Sequence, residues 1–187
     1  GELYPSGNVK PADKFVVEVQ PLLDALKTSS ITSLSLRSTG MGVKGVVAVA
    51  DVIRAMAAVA HIDISTAIIG EAGPVLVDAV KLCTSLESIT IGKGVKLPLK
   101  EQYNSDTFNV ADTGIESGGA ALIASWLTTP FTAAVAHISI SRNMITGSTD
   151  VGYYSHAKYD VDLSGIIAFG KVAAVSKTLT SIDLSNC

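Results

Sequence analysis

The chain has 187 residues, 48% of them hydrophobic and 17% charged, with a formal net charge of −3. That size suits one domain or one short repeat array, and the balance excludes an intrinsically disordered segment. With no basic run, nucleic acid is a poor partner, and no apolar run is long enough to cross a membrane.

Residues 1–11 read as loop, with Pro and Gly near each end. From Asp13 to Leu26 the apolar residues Val16, Val19, Leu22, Leu23 and Leu26 share one helical side, and Pro21 predicts a kink or a helix that starts there. ITSLSLRSTGM then places Ile31, Leu34 and Leu36 at strand spacing, with Thr39 and Met41 after them. Gly45 opens a helix with Val46, Val49, Ala50 and Ile53 on one face. VAHIDISTAII repeats the strand pattern with Val59, Ile62, Ile64 and Ile69, followed by a helix over about Ala72 to Leu82. A third strand uses Leu86, Ile89 and Ile91, after which the pattern degrades at Gly94 and Lys96.

A long stretch of about 97–113 follows, read as an insertion, before the helix carrying Leu122, Ile123, Trp126 and Leu127. VAHISISRNMI places Val135, Ile138, Ile140, Asn143 and Ile145 at the spacing L-x-x-L-x-L-x-x-N-x-L. A second insertion, about 147–162, precedes the helical SGIIAFGKVAAV, and LTSIDLSNC supplies the last strand with Leu179, Ile182, Leu184 and Cys187. The first apolar slots stand at Ile31, Val59, Leu86, Val135 and Leu179. The first two intervals are each one leucine-rich repeat long, and the later two are one repeat plus an insertion. Strands are therefore expected near 31–37, 59–65, 86–92, 135–141 and 179–185.

Together, ITSLSLRSTGMGVKGVVAVADVI, VAHISISRNMIT, GGAALIASWL and LTSIDLSNC resemble leucine-rich repeat proteins of the ribonuclease-inhibitor-like subclass, across residues 13–187 apart from the insertions. The resemblance implies an α/β leucine-rich repeat solenoid: a right-handed β/α horseshoe segment with parallel strands on the concave side and helices on the convex side. The expectation is one array over residues 1–187. It has no recognisable caps, so it should be a fragment of a longer array or have partners over its ends. In the asparagine slot only Asn143 fits, with Cys187 an accepted substitute and Thr39 a candidate. Ala67 and Gly94 have no side-chain donor, so an irregular frame is expected near the third repeat.

The residues expected on the strand face are mostly small and polar. His61 and His137 share a column two repeats apart, about 10 Å at the usual strand spacing, too far for one ion. Asp160 and Asp162 lack a loop of oxygen ligands, and no nucleophile elbow or phosphate loop is present. No enzyme, metal or cofactor is expected. Tyr103, Phe108, Tyr153, Tyr154 and Tyr159 are half of the ten aromatics and lie in the two insertions, which should emerge side by side on one rim. They either pin the long loops to the frame or contact a partner. With Arg37 and Arg142, the two arginines on the strand face, they form the candidate partner-binding set.

The expected function is a non-catalytic protein–protein interaction or scaffolding module. The alternatives are a structural subunit of a large assembly and a regulator of another enzyme, as relatives of this resemblance inhibit ribonucleases or stimulate GTPases. Two cysteines without disulfide or metal spacing point to an intracellular compartment, the cytoplasm, and the opening Gly1 leaves room for a targeting segment upstream.

Overall fold

A computed structural model describes residues 12–14, 16–147 and 160–187. Among the described residues the helices are α1 (Val16–Leu26), α2 (Val43–Ala55), α3 (Gly73–Leu82), α4 (Ser117–Leu127) and α5 (Ser164–Val175). The strands are β1 (Ser33–Ser35), β2 (His61–Asp63), β3 (Ser88–Ile91), β4 (Val95–Pro98), β5 (Thr107–Asn109), β6 (His137–Ser139) and β7 (Ser181–Asp183). Helix α1 is already formed at Val16 and runs through Pro21, so the proline does not mark the helix start.

Short strands follow from the alternation. Leu34, Ile62, Ile89, Phe108, Ile138 and Ile182 sit mid-strand, and Ile62, Ile89, Phe108 and Ile138 are buried. Two residues on, Ile64, Ile91, Val110 and Ile140 are buried as well. Each such side chain contributes roughly 1.5–3 kcal/mol over an exposed one. Helix α2 turns Val46, Val49, Ala50 and Ile53 inward at helical spacing. Its N-terminus is capped from outside, because the Asp13 carboxylate accepts the backbone N–H of Gly42, Lys44 and Gly45 at 2.8, 2.9 and 2.8 Å.

The strands form two sheets, β1-β2-β3-β4 and β5-β6-β7, parallel throughout except that β4 runs antiparallel to β3. The helices α1 to α5 pack each against the next. The fold is therefore mixed α/β with parallel strands and, among the described residues, no closed barrel.

The stretch 97–113 is not a free insertion. It contains the end of β4 and all of β5, whose Phe108 is in register with Ile138 of β6. In TFNVADTGI, Phe108, Val110, Thr113 and Ile115 repeat the pattern of the other strands. The chain between Ile89 and Phe108 is too short for a strand–helix–strand unit. The β3–β4 hairpin stands where a helix would, turned by Gly92 and Gly94 at φ 55° and 99°. The irregularity expected at the third strand is this hairpin. The second stretch, 147–162, is pinched at its base, where Asp162 N–H donates to Thr146 O at 3.0 Å. Residues 148–159 lie outside the described residues.

The turns after β1, β2, β3, β5 and β6 solve one problem repeatedly: a carbonyl three residues back must find a donor. At Asn143, buried, the amide nitrogen donates to Ile140 O, Val110 O and Ser141 O at 2.8, 2.7 and 3.1 Å, and Oδ1 accepts Ile115 N–H at 2.8 Å. Thr39 and Thr113 donate their hydroxyls to Leu36 O and Val110 O at 2.8 and 2.6 Å. Where no side-chain donor exists the backbone supplies one: Ala67 N–H reaches Ile64 O and Gly94 N–H reaches Ile91 O, at 3.0 and 3.1 Å. Cys187 reaches across instead, its thiol 3.3 Å from Ile140 O.

Replacing Asn143 by Ala strands the Ile115 N–H in the interior and leaves the Ile140 carbonyl with only the weak Cys187 thiol. Urea unfolding should show a loss of about 3 kcal/mol, since each orphaned buried group costs roughly 1–3 kcal/mol. Thr39→Ala, at an exposed turn, should cost less than about 1 kcal/mol.

Candidate interaction surface

Three surfaces compete for a functional role: the polar face of the strands, the aromatic group of the 97–113 stretch, and the rim beyond β6. The strand face carries Ser33, His61 and Ser88 in one column of the first sheet and Thr107, His137 and Ser181 in the second. The next columns are Ser35, Asp63 and Thr90, then Asn109, Ser139 and Asp183. The strand-face columns thus include Thr107 and Asn109, and His61 and His137 belong to different sheets.

Much of this polar face is consumed by the backbone. Asp63 Oδ1 accepts Ser65 N–H and Oγ–H at 2.8 and 2.5 Å. Asn109 Oδ1 accepts Ala111 N–H at 3.0 Å, and Asp183 Oδ1 accepts Ser185 N–H at 3.0 Å. The Ser139 hydroxyl donates to the other Asp183 oxygen at 3.0 Å. Hydrogen bonds from Ser185 first, then Ser139, hold the Asp183 carboxyl down at about 2. These side chains close the strand ends.

One contact has the form of a nucleophile and base. Ser88 Oγ lies 3.0 Å from His61 Nδ1, and Glu87 Oε2 lies 3.9 Å from His61 Nε2. Ser88 is buried at 4% exposure, and its own N–H is spent on Ala60 O at 3.0 Å. The contact joins β2 to β3 side chain to side chain. Among the described residues no group of three or more His, Cys, Asp or Glu side chains could hold a metal ion. Asp162, weighed as a calcium ligand, instead joins two helices: it accepts Ser117 Oγ–H at 2.5 Å and Ser164 N–H at 2.9 Å. Burial raises its carboxyl, but these hydrogen bonds prevail and hold it below the usual carboxylate range.

The candidate partner residues divide sharply. Phe108 is 4% exposed at the centre of β5 and is withdrawn from any partner. It packs at 4.8 Å on Trp126, and Tyr103 stands edge-on to both, at 5.7 and 5.4 Å between centroids. The Trp126 indole N–H donates to Pro98 O at 2.6 Å, and the Tyr103 hydroxyl donates to Thr107 O at 3.1 Å. The trio packs as one aromatic group, tied to the β4 backbone through Trp126 and to the β5 backbone through Tyr103. Arg37 and Arg142 are both exposed but stand beyond β1 and β6, in different sheets, and form no cluster. Tyr153, Tyr154 and Tyr159 lie outside the described residues. What remains is the rim after β6: Arg142 and Met144 are exposed, with Val161 and Leu163 where the chain returns.

The surface also contains a group that the sequence pattern did not single out. Glu116, at the N-terminus of α4, lies in a shallow crease lined by Ala67, Ile69, Gly92, Gly114, Ile115 and Gly119. Burial raises its carboxyl to about 7, partly opposed by a hydrogen bond from Gly70 N–H. No local signal announces this, because the crease closes only when α3 and α4 meet. A Cβ on Gly118 would collide with Gly70 O, and one on Gly73 would come within 2.6 Å of the Gly118 Cα. The glycines at 73 and 118 bring the backbones together and bury the carboxyl.

No protein-family model and no curated protein matches the chain. Among the described residues no helix is long and apolar enough to cross a membrane.

The Glu116 carboxyl makes stability depend on pH. Between pH 4.5 and 7 the folded chain holds a proton that the unfolded chain has released, so stability falls as pH rises through that window and is flat above it. Allowing for partial exposure, the loss is about 2 kcal/mol. Urea unfolding at pH 5 and pH 8 should show it, and Glu116→Gln should remove most of the difference; an unchanged slope in the variant would assign it to other groups.

Proposed function

We propose that this chain is a segment of a leucine-rich-repeat-like β/α solenoid acting as a non-catalytic protein–protein interaction or scaffolding module. Its rigid frame holds a binding rim beside β6. The repeated strand, turn and helix order supports the frame, with the asparagine turn at residue 143 as its best-formed unit. The observation that carries the binding site is the pinched base of the 147–162 excursion. Thr146 O and Asp162 N–H are joined at 3.0 Å, so the chain leaves and returns at one point of the rim, and Tyr153, Tyr154 and Tyr159 fall between these two residues in the sequence.

Exposed Arg142 and Met144 flank that point, and arginine and tyrosine side chains are the residues that dominate protein interfaces. Arg142 is preset for the role: its φ of 58° is fixed by its N–H on Ser185 O at 3.0 Å, while the guanidinium stays exposed. A rim held in place by backbone bonds loses less entropy on binding than a free loop.

Replacing Tyr153, Tyr154 and Tyr159 together by Ser should weaken capture of co-purifying proteins by at least tenfold, about 1.4 kcal/mol. The far-UV circular dichroism should stay that of the parent. Arg142→Ala should give a smaller loss of the same kind, whereas undiminished capture by the triple variant would remove the rim from consideration.

A further inference from the structure

Three consecutive residues leading into α4 hold the rim. Ile115 N–H donates to Asn143 Oδ1 at 2.8 Å, and the Glu116 backbone makes a parallel β-bridge with Met144. Ser117 Oγ–H donates to Asp162 Oδ2 at 2.5 Å. Asp162 ties down the returning chain, its N–H on Thr146 O at 3.0 Å. The turn over 143–146 and the return at 162 are therefore both fastened to residues 115–117.

While its backbone faces Met144, the Glu116 side chain enters the crease toward Gly70, whose N–H it accepts. That contact has no slack. A Cβ on Gly118 would collide with Gly70 O and stand 2.6 Å from an Ile69 methyl. Ile69 and Ile115, which line the crease, are at most 3% exposed. A neutral carboxyl fits there with one N–H donor, whereas a carboxylate needs more donors or water. Water reaches it by separation of the α4 start from Gly70, because the walls are backbone and buried isoleucine. The residues that move in such a separation are the ones that hold the rim.

None of the other six residues lining the crease carries a charge. On the elements packed around it, Glu71 follows Gly70 and is exposed, and Lys93 and Asp112 pair with each other at 3.2 Å. The rim side carries exposed Arg142 and Asp160, with Asp162 bonded to Ser117. Asp78 and Lys81 on α3 and Lys171 on α5 are exposed. Glu116 is the titrating group that lies inside the contact itself.

We propose that the start of α4 is a two-position element: loss of the Glu116 proton parts it from Gly70 and carries the 143–146 turn with it, so that the crease sets the position of the rim. Burial raises the carboxyl to about 7, opposed in part by the Gly70 N–H, so the closed position holds below that pH and the parted one above it. The coupling belongs to the frame, while its effect on binding rests on the rim being the partner surface. On that reading the closed form binds, and binding takes up a proton in return.

The test uses the three methionines, of which Met144 is 49% exposed and Met56 only 3%. In the methyl-labelled chain, the relaxation that a dissolved, uncharged paramagnetic agent adds to each methyl signal reads exposure and not local charge. As pH rises through about 7, the Met144 rate should increase by roughly twofold, the ceiling that an exposure of about half allows, while Met56 stays constant. Glu116→Gln should keep the low-pH rate throughout, and Glu116→Leu replaces it if the amide variant is not folded by circular dichroism. A parent Met144 rate that does not change with pH, or a rise that survives in the variant, would overturn the proposal. The measurement needs no partner, so its failure is distinct from a failure of the tyrosine substitutions to weaken capture.

Discussion

The turns after β1, β2, β3, β5 and β6 share one constraint: a strand of three or four residues must hand its backbone to the next element without leaving a carbonyl unpaired. A carbonyl buried without a partner costs about 1–3 kcal/mol, and the stability of a whole domain is only some 5–15 kcal/mol. A few failed turns would leave no fold. The chain meets the constraint with whatever donor the slot holds: an amide at Asn143, hydroxyls at Thr39 and Thr113, and bare backbone N–H groups at Ala67 and Gly94. The geometry recurs along the chain while the chemistry that satisfies it changes.

That tolerance explains what the sequence reveals and what it conceals. The strand positions near 34, 62, 89, 138 and 182 are legible because Leu and Ile recur at strand spacing and the interior is apolar enough to demand it. The strand around Phe108 is concealed for a physical reason. It lacks a preceding helix, so its interval from Ile89 falls well short of a repeat, and its polar slot holds Thr113 instead of Asn. A pattern defined by period cannot register a unit whose helix has been replaced by a hairpin. The cue that survives is chemical: Phe108-x-Val110 followed by Thr113 matches Leu34-x-Leu36 followed by Thr39.

The same replacement determines the fate of the aromatics. A helix presents a broad apolar stripe, whereas the hairpin strand β4 turns only Val95 and Leu97 inward. Large rings recover the missing volume, which is why Phe108 and Trp126 are buried and Tyr103 leans across them. Aromatic density in a stretch without periodicity resembles a binding loop in sequence, but here it compensates for absent secondary structure. The histidine column fails as a site for a related reason. The β3–β4 hairpin divides the strands into two sheets, and the partner nearest His61 is Ser88 rather than His137.

Glu116 shows the cost of the close helix contact that holds the two sheets in one body. The α3 and α4 backbones approach through Gly73 and Gly118, and only glycine permits that separation. Once they meet, the carboxylate at the start of α4 loses water on one side and gains a single N–H, that of Gly70. One donor does not replace a hydration shell, so the proton is held up to about pH 7. Asp162, one helix later, is the control supplied by the same molecule. It also sits at a helix N-terminus against a neighbouring helix, but it receives both the Ser117 hydroxyl and the Ser164 N–H and stays ionised more readily than a free carboxylate. What separates the two is depth of burial and the total of donors. Glu116 is deeply buried against one N–H from its neighbour, whereas Asp162 is less buried and adds the Ser164 N–H of its own helix to the Ser117 hydroxyl of the neighbouring one.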